Sequence, residues 1–167
     1  MIESISKMLR RDLLSMLALT AAGRFVFPTW LLAEAEELEV TKTDEVWRRL
    51  LTPAQYQVLR HEATEPAGSS PLLDEHRKGV FACAGCELPL FKSETKFESG
   101  TGWPSFWRPI DGAVGTKTDR SFLMQRTEVH CRRCGGHLGH VFNDGPQPTG
   151  LRYCMNGVAL KFLPEGS

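Results

Sequence analysis

Two pairs of cysteines, "CAGC" at 83–86 and "CRRC" at 131–134, constrain this chain more than any other feature. Two residues between thiols is the spacing at which a tight turn points both sulfurs at one ion, and two such turns complete a tetrahedron. The 44 residues between the pairs exceed the roughly 15–20 of a zinc ribbon. The fold in between must therefore bring the two turns together. Zinc held by Cys83, Cys86, Cys131 and Cys134 is the preferred reading. An electron-transfer iron on the same thiolates, two local disulfides and a nucleic-acid-binding ribbon stay open beside it. A closed set of four cysteines has no open coordination position, so it stabilises and the chemistry lies elsewhere.

Charge weighs against the nucleic-acid ribbon, because Lys+Arg and Asp+Glu balance at 20 each in the 167 residues. No basic field draws the chain onto a polyanion. The first 35 residues read as an export signal: Arg10-Arg11 precede the apolar run Leu13 to Ala22, and "AEA" at 33–35 offers a small-x-small cleavage site. The adjacent arginines resemble a twin-arginine signal, which points to the periplasm. A membrane-surface anchor and an ordinary N-terminal helix in a cytoplasmic protein are the alternatives. Arg24 and Pro28 interrupt the stretch too early for a span of ~20 residues. Without this segment 16 basic and 17 acidic residues remain, so the mature chain stays near neutral.

The expected organisation is a linker at 36–42, one domain at 43–163 and a tail at 164–167. Thr43 to Leu50 and Thr52 to His61 read as two short helices, with Thr52 as N-cap and Pro53 at the first helical position. A loop rich in Pro, Gly and Ser follows from Thr64 to Lys78. Beyond it "GVFAC", "SFLMQRTEVHC", "GHVF" and "YCMNGVALKF" read as strands, with "NDGPQPTG" at 143–150 as the turn of a final antiparallel pair.

The fifth cysteine, Cys154, stands outside both pairs. Strand alternation puts Arg152, Cys154 and Asn156 on one face and Tyr153 and Met155 on the other. A guanidinium two residues away favours the thiolate, the nucleophilic form. A small buried hydrophobe is the competing role for such a cysteine. His137 and His140 fall on the strand expected beside it, and an imidazole can donate a proton near neutral pH. Positions three apart in a regular strand face opposite ways, so both reach the site only if a bulge, at Gly139, re-aims one. His61, His76 and His130 have no such company and are expected at the surface. In "SGTGWPSFW" at 99–107, two glycines and a proline hold up Trp103, Phe106 and Trp107. Aromatics at this density usually mean core, yet an indole wall on a loop also receives a small soft group.

Taken in order, "LTPAQYQVLR…TEP", "CAGC", "SGTGWPSF", "CRRCGGHLGHVF", "NDGP" and "RYCMN" resemble the B-type methionine-R-sulfoxide reductases over residues 43 to 163. The resemblance implies a mainly β fold, two antiparallel sheets in a tent-like barrel or sandwich with short N-terminal helices, and one structural zinc opposite the active site. It implies Cys154 as the nucleophile on the sulfoxide sulfur, and His140, with His137, as donors to the sulfoxide oxygen. Asn156 and Arg152 would order that network, while Trp103 and Phe142 would hold the substrate's ε-methyl and select the R epimer. A sulfoxide is a weak electrophile until its oxygen is protonated, so a thiolate and an acid must act on one small group.

Many members of that family carry a second, resolving cysteine where this chain has Thr101. The oxidised Cys154 is then expected to be reduced by an external thiol or a thioredoxin-like partner. Oxidised proteins or peptides are the expected substrate, and the chain is expected to act as a monomer. The other function class is a zinc-stabilised module that binds peptides through Trp103, Phe106 and Trp107 without turnover.

Overall fold

A computed structural model describes residues 37–121 and 125–166. The expected export signal lies outside the described residues. The two helices form where expected, α1 at Asp44–Leu50 and α2 at Pro53–His61. Thr52 caps α2 in a capping box, its side chain accepting from the Gln55 amide while the Gln55 side chain accepts from the Thr52 amide. Two of the orphan donors at the helix start are thus satisfied. Tyr56, Val58 and Leu59 face the core.

Nine strands follow among the described residues: β1 Gly79–Cys83, β2 Pro89–Lys92, β3 Lys96–Phe97, β4 Ser105–Phe106, β5 Val114–Asp119, β6 Arg126–Cys131, β7 His137–Phe142, β8 Arg152–Met155 and β9 Leu160–Pro164. They make two antiparallel sheets, in the orders β2-β1-β9 and β3-β4-β8-β7-β6-β5. The aromatic centre of the core joins the sheets: Phe106 of the large one stacks on Phe91 at 4.4 Å and meets Phe81 at 5.0 Å, both from the small one. Such pairs contribute about 0.5–1.5 kcal/mol beyond their buried area.

Three expectations change. "YCMNGVALKF" is not one strand: Asn156 and a 3-10 turn at Gly157–Ala159 break it, and β8 and β9 belong to different sheets. The 64–78 loop contains a 3-10 turn at Pro71–Asp74, capped by the Ser70 hydroxyl. The long strand into the second cysteine pair begins at Arg126, with Ser121 outside it. The short strands β2 to β4 carry too few residues for an alternation to be read.

Candidate active site and metal centre

The four paired cysteines come together in the fold. Cys83 ends β1 and Cys131 ends β6, and each opens the same turn. The Cys83 amide donates to Leu88 and Glu87 donates back to Cys83, while Cys131 donates to Gly136 and Gly135 donates back to Cys131. Both turns need a left-handed residue at the fifth position, supplied by Gly135 at φ 66° and by Glu87 at φ 60°. A tetrahedral ion about 2.3 Å from each thiolate implies S–S edges of about 3.8 Å. Cys83–Cys134 measures 3.8 Å and Cys86–Cys131 3.5 Å, and all four sulfurs lie within 4.8 Å of one another. The donor set therefore fits a metal ion. Hydrogen bonding with Cys131 pushes Cys83 above the thiol range and holds Cys86 below it. Leu59 of α2 covers both turns, reaching Gly85 and Gly136, and Arg60 donates to the Cys134 carbonyl at 3.0 Å. Leu38, Glu39 and Val40 lie against the second turn, with Val40 donating to the Arg133 carbonyl.

Cys154 is placed by strand register instead. Ser105, Cys154, His140, Glu128 and Lys117 pair in succession from β4 through β8, β7 and β6 to β5. Residues directly opposite in an antiparallel sheet share a face, so one rung carries a thiol, an imidazole, a carboxylate and an ammonium side by side. Met155 and Val129 fill the opposite, buried face. β7 approaches β8 closely at Gly139, where a Cβ would collide with the Cys154 carbonyl. The expected bulge exists, but it falls at Leu138, skipped between the pairs Val129–Gly139 and His130–His137. It brings the His137 and His140 rings edge to face at 5.5 Å, but of the two only His140 lines the cavity beside Cys154, while His137 is buried next to it.

A cavity of about 120 Å³ opens beside the thiol, lined by Thr64, Trp103, Arg126, Gly139, His140, Phe142, Cys154 and Asn156. Cofactor and drug sites run to ~300–1,000 Å³, so this one admits the tip of a side chain. Trp103 is fixed by its indole N–H on the Glu65 carbonyl at 3.1 Å. Asn156 is buried, accepting from the Glu65 amide at 2.9 Å and donating to the Leu138 carbonyl at 3.1 Å, so it braces the bulge between the histidines. Arg152 forms a double hydrogen bond to Asp144 at 2.8 Å and lies 4.4 Å over the Phe142 ring, which it holds against the cavity. Thr101 meets the thiol, with its hydroxyl 3.8 Å from Cys154 Sγ and 2.9 Å from the Ser99 hydroxyl.

Each histidine has a carboxylate that the sequence reading missed. His137 Nδ1 bonds Glu128 at 2.9 Å, with both side chains 3% exposed, and Lys117 bonds the other Glu128 oxygen at 2.9 Å. Burial pushes the Glu128 carboxyl up, but the hydrogen bonds from His137 and Lys117 outweigh it and hold the group below its usual range. His140 Nε2 bonds Asp119 at 2.9 Å. Burial lowers the His140 pKa, opposed by the Asp119 hydrogen bond. The missed signal was the charged alternation Lys117, Asp119 and Arg126, Glu128 on two adjacent strands. Phe106, by contrast, is wholly buried, so Trp103, Phe106 and Trp107 do not form one exposed face. His61 and His76 are exposed as expected, whereas His130 is half-buried on β6.

The SelR domain family matches residues 51–164 of the chain. Curated relatives named peptide methionine sulfoxide reductase MsrB align along most of it. That of Leptospira interrogans is 56% identical over 76% of this chain and 98% of the relative. Those of Methanosarcina barkeri and Agrobacterium fabrum are 55% and 51% identical over 75% of this chain, covering 89% and 94% of their own lengths.

Proposed function

The chain belongs to the MsrB family of peptide methionine sulfoxide reductases, and on that premise we propose that it reduces protein-bound methionine-R-sulfoxide through Cys154. The observation that carries this reading is the rung that sets Cys154 directly opposite His140, at a cavity sized for one side-chain tip.

In this reading the sulfoxide's sulfur faces Cys154, its methyl lies against Trp103 and Phe142, and its oxygen lies toward the histidines. The Cys154 thiolate attacks the sulfur while His140 gives a proton to the oxygen. The oxygen passes to Cys154 as a sulfenic acid, and methionine leaves with two more electrons than it brought. One external thiol then displaces water from the sulfenic acid to form a mixed disulfide, and a second releases Cys154 as the thiol. Thr101 supports the external route, because the side chain touching Cys154 at that point is a hydroxyl and the other four cysteines lie together in the metal cluster. Zinc is the proposed ion there: bound, it ties the ends of β1 and β6 together and takes no part in the reaction. The twin-arginine-like start supports export to the periplasm, with the metal loaded before crossing.

Incubating the reduced, metal-loaded protein with each sulfoxide epimer, then trapping the sulfenic acid on Cys154, tests the proposal. Consumption of the S epimer in place of the R overturns it. A disulfide from Cys154 to any paired cysteine after one turnover without reductant overturns both the external route and the metal assignment.

A further inference from the structure

Among the described residues, Asp119 at the end of β5 gathers more of the site than any other side chain outside the cavity wall. Its Oδ1 accepts from the Ser121 amide at 2.8 Å and the Ser121 hydroxyl at 2.6 Å. Its Oδ2 accepts from Arg126 Nη2 at 2.7 Å and from His140 Nε2 at 2.9 Å. Both residues joined through Oδ2 line the cavity beside Cys154. The Asp119 side chain is itself only 15% exposed. Arg126 Nε is buried and has no hydrogen-bond partner among the described residues, so this guanidinium is held in place without spending all its donors on the protein.

A carboxylate acceptor fixes the tautomer of an imidazole, because the nitrogen facing it must carry the proton. The hydrogen bonds from Ser121, His140 and Arg126 hold the Asp119 carboxyl well below its usual range, so it is ionised wherever the protein is folded near neutral pH. Neutral His140 is therefore the Nε2–H form, and Nδ1 carries its free lone pair. The neighbouring His137 is held the other way round, with Nδ1 on Glu128 and its buried Nε2 without a hydrogen-bond partner among the described residues. One carboxylate per histidine thus turns adjacent rings into opposite tautomers.

We propose that Asp119 is a positioning residue of this site, which locks His140 so that Nδ1 is the nitrogen exchanging a proton with the sulfoxide oxygen and which holds Arg126 at the same wall. The proposal rests on the functional reading above. When His140 is doubly protonated, Nδ1–H passes its proton to the oxygen, and the ring is left as the Nε2–H form still bonded to Asp119. The groups acting directly on the ring are Asp119 from β5, Arg126 from β6 and His137 from β7, and the same sheet face also carries Lys117 on β5, Glu128 on β6, and Cys154 and Arg152 on β8. Among them burial, Arg126 and His137 all disfavour the doubly protonated ring, and Asp119 opposes them. Without Asp119 the ring should lose its extra proton at lower pH.

Two measurements on the metal-loaded protein decide this. The first is ¹⁵N NMR of the histidine rings in the unmodified protein, which needs no activity. His140 should be the Nε2–H tautomer at neutral pH, and an Nδ1–H tautomer overturns the proposal. The second is the pH profile of single-turnover reduction of the R epimer for the unmodified protein, Asp119→Asn, Asp119→Glu and the control Asp111→Asn, which breaks only an exposed pair with Arg108. In Asp119→Asn the alkaline limb should move down by about one pH unit and the maximal rate should fall roughly tenfold with KM little changed. Asp119→Glu should recover most of the rate, and Asp111→Asn should match the unmodified protein. An unshifted limb in Asp119→Asn, or no recovery in Asp119→Glu, overturns the proposal. If the unmodified protein reduces neither epimer, it is the functional reading that fails, and the tautomer still decides what Asp119 does.

Discussion

The protein uses one side chain, cysteine, in two ways, and surroundings alone separate them. At the paired site four sulfurs are packed within 4.8 Å under α2, with backbone turns closing on each pair. At Cys154 one sulfur stands half-exposed on a polar sheet face, against a hydroxyl and opposite an imidazole, at the edge of an open cavity. Crowded thiols in a closed shell offer affinity for an ion and nothing for an incoming group. A solitary thiol with an acid across the strand offers the reverse. The comparison separates stability from chemistry: the chemistry can be removed with the fold kept, whereas losing the fold takes the chemistry with it.

Stripping the metal should have the largest effect. Structural zinc contributes on the order of 10 kcal/mol in small domains, comparable to the whole stability of an ordinary fold. Chelation, or Cys131→Ser, is expected to abolish the cooperative melt and activity together, followed by circular dichroism with metal analysis. A metal-free protein that still melts cooperatively near the original temperature would break the comparison. Cys154→Ser should do the opposite: activity falls by at least about a thousandfold, while the melting temperature and metal content stay as they were. A large loss of stability there would mean that the thiol is packed as part of the core.

Trp103→Leu sharpens the open side of the contrast. Removing the indole and its bond to the Glu65 carbonyl should lower kcat/KM by roughly tenfold, about 1.4 kcal/mol, with the metal retained. Acid gives the smallest effect. Burial holds the folded His140 pKa below the ordinary 6.5, so the unfolded chain binds that proton more readily and stability declines as pH falls below about 6.5. Glu128 is also depressed, so its contribution, complete above about 4.5, is lost as pH falls through its lower folded value. Denaturant melts from pH 8 to 3 should show a shallow decline and then a steeper one below about 4.5, and a flat profile would remove both groups from the account.

Much of the site was legible because it is written locally. Cys83 with Cys86, and Cys131 with Cys134, need only one turn apiece, and "RYC" alternates on a single strand. The split of "YCMNGVALKF" was missed although Asn156-Gly157 is itself a turn dipeptide, and the packing of Gly157 against Ser70 and Glu65 holds the turn in place. The two carboxylates beside the histidines were missed for a different reason. Glu128 and Asp119 look like solvated charges on exposed strand faces until the histidines are laid over them.

The sequence by itself determined the four cysteines that could hold a metal ion, the thiol outside them and the absence of a cysteine at Thr101, because these depend on residue identity and on spacings of a few residues. Tertiary structure alone decided which carboxylate serves which histidine. That pairing depends on the register of β5, β6, β7 and β8 and on a bulge at Leu138. Register over such separations is set by burial of the whole opposite face, since a slip of one residue would turn Val129 and Met155 out to water and bury the charges in their place.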